Sequence, residues 1–201
     1  MKVSKRTAIE ILLDETAYIV PRGHKLRVAI STQYWPFVWP SPFNTTIEIS
    51  QGTLSFNLLE GEIQKDEYKF EEPEASEEWN FESLRAGDYN RTLEDNYGTD
   101  KVILRINSDF GRVKDNNHGL TTDQLTNEIW TINKNDPLSA TGEIEWFQEL
   151  SREGWIVKIN TKCSMSADKD FFYINAAVNA SDGCEKVFER TFSHKIKRNY
   201  I

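Results

Sequence analysis

The residues able to do acid–base chemistry in this chain are carboxylate pairs and isolated histidines. Glu143 and Glu145 stand two positions apart, so on a strand their side chains share a face, as the two carboxylates of a glycosidase do. Glu77 and Glu78 form a second acidic pair. Because charged pairs of this kind are also typical of a solvent-facing strand, we interpret Glu143 and Glu145 as surface residues.

The sequence contains no pattern for nucleophilic catalysis or metal binding. A serine hydrolase of the α/β type needs a Gly-x-Ser-x-Gly elbow, which is absent. The three histidines, His24, His118 and His194, lie far apart in turn-like or terminal segments, and neither they nor Cys163 and Cys184 have the spacing of zinc ligands. We therefore expect no catalytic residue, no metal site and no cofactor in this chain.

The strongest candidate for binding is an aromatic, proline-rich loop. It follows the segment 25–31, whose alternating apolar residues predict a half-buried strand. Prolines hold the loop extended, and its large rings are costly to leave in water. We therefore expect it to dock either on the chain's own sheet or on a partner. The candidate binding or interface residues are Tyr34, Trp35, Phe37 and Trp39.

Strand signals dominate the elements that must position this loop. In the first part of the chain we predict strands over 7–13, 16–20, 25–31, 45–50 and 53–60. In the last part, alternation predicts a hairpin and then an antiparallel meander, over 91–95, 101–106, 139–151, 155–166, 171–181 and 184–194. A further turn is predicted over 108–111. Residues 123–132 are the one helix candidate, and they also suit a strand.

Charge and composition exclude several classes of function. Residues 60–95 carry 13 acidic and 4 basic residues, a net of −9, whereas the rest carries 19 acidic and 20 basic, a net of +1. Phosphate binding needs a clustered basic surface, so we expect no nucleic-acid partner. We find no apolar run long enough to span a membrane and no secretory signal, which predicts a cytoplasmic protein. Cys163 and Cys184 are interpreted as a reduced, buried pair, with a disulfide as the alternative.

Two motifs carry a resemblance to a known family. The stretch from Tyr18 to Pro42 resembles the C-terminal domain of CocE/NonD-family hydrolases, also called the X-Pro dipeptidyl-peptidase C-terminal domain. A second stretch is similar to the terminal extension of one bacterial branch of that family. Its matching segments are 135–140, 145–146, 154–155, 165–168 and 195–198. The resemblance covers most of 7–60 and 89–201.

The resemblance implies a non-catalytic accessory domain. Family members join an α/β-hydrolase domain, which holds a Ser-Asp-His triad, to a jelly-roll-like β-domain. This chain lacks the catalytic domain, and the early β-domain strands expected before Thr7 are also missing, so no catalytic residue carries over. The resemblance implies that the chain packs on and stabilises a catalytic α/β-hydrolase domain. A carbohydrate-binding module that uses its tryptophans, and a homodimer formed through a free sheet edge, are the alternatives.

The predicted architecture is therefore all-β. A partial jelly-roll-like β-sandwich over 1–60 is followed by an acidic connector over 61–88. An antiparallel meander or barrel-like sheet occupies 89–201.

Overall fold

The computed structural model describes residues 6–58 and 69–199, and its regular structure is entirely β. The strands are β1 Phe81–Arg85, β2 Asp88–Asn96, β3 Lys101–Asp115, β4 Thr121–Asn133, β5 Asp136–Arg152, β6 Trp155–Ala167, β7 Phe171–Asp182 and β8 Glu185–Lys197. The predicted all-β class is confirmed. The described part of the chain contains no helix of the length and apolar character needed to cross a membrane.

The strands form one open antiparallel sheet. Its order is β1-β3-β4-β5-β6-β7-β8, and β2 pairs with β3 beside β1. Strands β3 to β8 follow one another in chain order, which confirms the predicted meander and its hairpin turns. The sheet ends at β8 on one side and at β1 and β2 on the other, so the barrel-like alternative is wrong. Residues 123–132 lie in β4, so the helix alternative there is wrong as well.

A β-bulge occupies the place where we predicted a turn over 108–111. Strand β3 runs through this region, and its register against β4 shifts between Asp109 and Arg112. Gly111 takes a φ of +80°, which favours glycine, and its backbone N–H donates to Asp109 Oδ1 at 2.8 Å. The turn prediction is wrong because the Asp109–Gly111 hydrogen bond and the positive φ of Gly111, both typical of a turn, occur here inside a continuous strand. The bulge also separates the part of β3 that pairs with β2 from the part that pairs with β1.

The register gives the sheet a more apolar face and a more polar face, called here the apolar face and the polar face. Residues directly opposite each other in neighbouring strands share a face. As predicted, Ile144 and Trp146 lie on the opposite face from Glu143 and Glu145. The apolar face is formed by Leu104, Trp130, Ile144, Trp146, Ile159, Phe172, Val178, Phe188 and Phe192. Many of these side chains keep substantial exposure, such as 41 % for Trp146 and 47 % for Phe188.

Ion pairs connect β1 with β3, β4 and β5 on the polar face. Arg85 donates to Asp109 and, at 2.7 Å, to Asp123, while Arg112 lies 3.0 Å from Glu149. Hydrogen bonding from Arg85 lowers the pKa of Asp109 below its usual value. Exposed pairs of this kind contribute little singly, but the alternating ladder favours a single strand register.

Residues 6–58 form no strand in the structure, so the strands predicted there are wrong for the described residues. Their one backbone bridge joins Tyr34 to Val38. The alternation of Leu26, Val28 and Ile30 shows that a face could be buried, but a strand also needs a hydrogen-bonded neighbour. Lacking one, these three side chains are 59–60 % exposed. The partial sandwich is accordingly not formed by the described residues, and 59–60 of the last predicted strand lie outside them.

The chain divides into two compact units, Met1–Ser31 and Thr32–Ile201. In the first unit, the predicted turn at Pro21 is confirmed, because His24 N donates to Pro21 O at 3.0 Å and Gly23 has a φ of +87°. The second unit contains the aromatic loop and the sheet. The division at residues 60 and 88 stays a prediction.

We predict that Gly142→Ala destabilises the second unit by about 1–3 kcal/mol, because the added methyl group overpacks a buried site. Gly142 lies opposite Trp130, and a Cβ there would stand 2.6 Å from Trp130 Cζ3. Urea unfolding measures the loss. Gly52→Ala is the matched control, since nothing lies within 4 Å of a Cβ at Gly52. Equal stability of the two variants would contradict the prediction.

Candidate functional site

The aromatic loop, defined as residues 34–43, is a compact turn. Val38 N donates to Tyr34 O at 2.9 Å, so the backbone reverses over residues 34–38. Pro36 within this turn and Pro40 after it restrict the backbone, and Pro40 is fully buried. The four predicted interface residues therefore sit on one short, internally bonded segment, and the reversal separates them into two pairs.

The inner pair of the loop, Trp35 and Trp39, packs against the apolar face of the sheet. The Trp35 ring meets the Trp39 ring edge-on with centroids 5.1 Å apart, and it meets Trp130 of β4 at 5.8 Å. The Trp39 ring lies 6.2 Å from Phe172 of β7, also edge-on. Such edge-to-face contacts add to the energy of burial. The loop thus docks on the chain's own sheet through these two rings.

The outer pair, Tyr34 and Phe37, points away from this contact. The two rings stack on each other with centroids 5.2 Å apart and planes 25° from parallel. Tyr34 is 65 % exposed and Phe37 is 69 % exposed. The loop therefore partly buries one pair of aromatic rings and presents the other to solvent.

An arginine that follows β8 fastens the loop to the sheet. The Arg198 guanidinium donates from Nη2 to Pro40 O at 2.6 Å and from Nη1 to Asp168 O at 2.9 Å. It also lies over the Phe172 ring, 4.7 Å from the centroid, and the residue is only 8 % exposed. Burial lowers the pKa of Arg198 below the usual arginine value. We call this arrangement the Arg198 clasp.

The turn between β6 and β7 supplies one of the carbonyl groups of the clasp. The Asp168 carboxylate accepts hydrogen bonds from the backbone N–H groups of Asp170 and Phe171, both at 2.7 Å. It also accepts a bond from the Tyr173 hydroxyl at 2.5 Å. These bonds, led by that from Tyr173, lower the pKa of Asp168, and the same contact raises the pKa of Tyr173. The turn is therefore held in one shape beneath Arg198.

The clasp and its supporting rings were missed in the sequence. Arg198, Trp130 and Phe172 are distant from the loop in the chain, and no local spacing connects them. A lone arginine after a strand looks like a surface residue. Trp130 lies in β4 and Phe172 in β7, and these strands are joined through β5 and β6. Only the assembly of the sheet brings the three side chains to the loop.

The carboxylate pair of β5 is not arranged for acid–base catalysis. Glu143 and Glu145 line an open trough of about 830 Å³ on the polar face. Glu145 lies 3.0 Å from Lys162 Nζ and accepts a hydrogen bond from Asn160 at 3.3 Å. These contacts, with Lys162 the larger, lower the pKa of Glu145, whereas a general acid needs a raised one.

The histidines and cysteines occupy separate places. His118 lies in the β3–β4 turn beside Asp115, and His194 lies in β8. Both cysteines are free and exposed, so the prediction of a buried pair is wrong, and the alternative disulfide is not formed. Within residues 6–58 and 69–199, no group of three or more His, Cys, Asp or Glu side chains could hold a metal ion.

The tryptophans that could stack on sugars are dispersed over the second unit. Trp146 and Trp155 are both 41 % exposed and share the apolar face. Trp146 pairs with Thr161, six residues from Trp155, which places the two residues about 20 Å apart along the sheet. Trp79 donates to Asp115 at 2.7 Å and contacts Phe81. A carbohydrate-binding role stays a prediction.

Part of the chain matches one protein-family model. Residues 5–70 match the model of the X-Pro dipeptidyl-peptidase C-terminal non-catalytic domain. The resemblance predicted from the aromatic loop and its preceding strand-like segment is confirmed for this stretch, which is about one third of the chain. No curated protein and no solved structure matches the chain. The resemblance predicted for residues 89–201 stays a prediction.

Proposed function

We propose that this chain is a non-catalytic C-terminal accessory domain of a CocE/NonD-type serine hydrolase, which packs on and stabilises an α/β-hydrolase catalytic domain. The observation that carries the proposal is the match of residues 5–70 to a domain described as non-catalytic and C-terminal in X-Pro dipeptidyl-peptidases. The separated histidines and the ion-paired Glu145 agree with a role outside catalysis. In this proposal the chain stabilises a neighbouring domain by packing against it.

The exposed apolar surface of the sheet is consistent with a covering partner. Trp146, Phe188 and Leu93 are 41 %, 47 % and 70 % exposed, and their face continues beyond the part that the aromatic loop covers. Large apolar side chains exposed on one face are typical of an interaction site. The free thiols of Cys163 and Cys184 suit a reducing compartment, and we propose the cytoplasm as the location of the protein.

We predict that the isolated chain does not hydrolyse p-nitrophenyl acyl esters or X-Pro anilides above the buffer rate. The reason is that no described histidine is placed with an activated serine and an acid in a closed crevice. Spectrophotometric release of nitrophenol or nitroaniline measures this. Turnover that survives purification and disappears with a fluorophosphonate would overturn the non-catalytic role.

Stabilisation is tested by the melting temperature of a separately produced X-Pro dipeptidyl-peptidase catalytic domain, with and without the chain.

Self-association through a sheet edge is a second candidate function. Strand β8 pairs with β7 along its length and leaves its other edge uncovered by the strands of the described sheet. An open edge can add a strand from a second copy, although charged side chains such as Glu189 and Lys195 oppose it. Sedimentation of the chain alone at high concentration would show a dimer if the edge is used and a monomer if it is not.

A further inference from the structure

The aromatic loop combines a fixed inner side with an exposed outer side. Trp35 and Trp39 are occupied by contacts with the sheet, whereas the stacked rings of Tyr34 and Phe37 remain 65 % and 69 % exposed. Exposure of two adjacent large rings on one short loop is unfavourable in water. The loop therefore presents a small aromatic surface for which the described residues offer no cover.

This outer pair is held in place before any partner arrives. The bond from Val38 N to Tyr34 O closes the turn between the two rings. Below them, the Arg198 clasp binds Pro40 O, and Pro40 itself is fully buried. Aromatic side chains that are already fixed lose little entropy on binding, which is a property of interface residues with large energetic effects.

The surroundings of the outer pair define the chemistry of the partner. No charged residue occurs from Val28 to Ile47, a run of twenty positions in a chain with 28 % charged residues. The charges that contact the aromatic loop come from Lys169, over the Phe43 ring, and from the buried Arg198. The segment that carries the outer pair contributes none for a partner to match. An apolar pocket with room for two stacked rings fits the loop, and a charged polymer or an ionic ligand does not.

We propose that Tyr34 and Phe37 form the docking contact of this chain, inserted into an apolar pocket on the α/β-hydrolase catalytic domain. This inference rests on the proposed function and adds the residues that make the contact. The choice of partner follows from the position of the loop within residues 5–70, the part that matches the non-catalytic C-terminal domain of X-Pro dipeptidyl-peptidases. Trp35 and Trp39 act as anchors that position the outer pair.

The test is binding of the full chain to a separately produced X-Pro dipeptidyl-peptidase catalytic domain, measured by calorimetry. The double variant Tyr34→Ser/Phe37→Ser is expected to weaken binding by at least about 30-fold, the effect of losing an interface hot spot. Its melting temperature should match that of the unaltered chain, because both rings are exposed. Tyr97→Ser is the matched control, since Tyr97 is 82 % exposed in the β2–β3 turn.

The outcomes separate this inference from the proposed function. Absence of binding by the unaltered chain overturns the proposed function and with it the docking contact. Equal binding by the unaltered chain and the double variant overturns the docking contact alone. A dimer of the unaltered chain that the double variant abolishes would assign the outer pair to a second copy and overturn the choice of partner.

Discussion

Trp39→Ala is expected to lower the free energy of unfolding of the second unit by about 3 kcal/mol, at the lower end of the usual range for buried tryptophans. The ring contacts both Trp35 and Phe172, so its removal opens a gap between the loop and the sheet. The expected loss of stability lies at the low end of the range because the Trp39 side chain is only partly buried. Urea unfolding followed by circular dichroism measures the loss.

Trp39→Phe is the control for this prediction. Trp39 Nε1 is buried without a hydrogen-bond partner among the described residues, and phenylalanine removes that group while keeping an aromatic ring. A buried unpaired N–H is itself unfavourable, so its loss offsets part of the lost contact area. We expect Trp39→Phe to be much closer to the unaltered chain than Trp39→Ala. A negligible loss in Trp39→Ala would mean that the loop does not dock on the sheet.

Arg198→Ala is expected to lower the free energy of unfolding by about 2–3 kcal/mol, because it removes two hydrogen bonds from a charged group. The buried carbonyl of Pro40 loses its guanidinium donor, and Phe172 loses the cation above its ring. The change should also release the aromatic loop. Iodide quenching of tryptophan fluorescence should therefore increase together with the loss of stability.

Two variants provide the comparison for Arg198. Arg198→Lys keeps the positive charge but lacks the planar fork that reaches both Pro40 O and Asp168 O, so we expect an intermediate loss. Arg190→Ala removes a guanidinium that also lies over a ring, that of Phe192 at 4.7 Å, from an exposed position. Its expected loss is below about 0.5 kcal/mol. A fully stable Arg198→Lys variant would show that charge alone, and not the forked contact, holds the loop.

The meander could be predicted from the sequence because each of its strands carries its own signal. Alternation over 139–151 and 155–166 assigns the side chains to faces, and the turn at Gly154 limits the pairing of β5 with β6. Gly111 shows where such reasoning fails. A glycine with a preceding aspartate has the chemistry of a turn, and only the presence of β1, β2 and β4 beside β3 makes it a bulge.

The site was predictable only as a list of aromatic residues. Their type and spacing indicate that the loop must dock, but alternation and turn chemistry are local properties. Trp130 lies 95 residues after Trp35, and Phe172 lies 133 residues after Trp39. Which rings receive the loop therefore depends on the register of the whole sheet. The same limit applies to 25–31, where alternation indicates a face but says nothing about a neighbouring strand.

The contact between Pro40 and Arg198 joins residues 158 positions apart, whereas β3 to β8 pair with their neighbours in the chain. Local hairpins can form early and in succession, but this long-range closure waits until the last strand is in place. During synthesis on the ribosome, the tryptophans of the loop emerge long before the residue that fastens them. The growing chain therefore carries these aromatic rings uncovered until β4 and β7 have been made, and this period is when a chaperone would act.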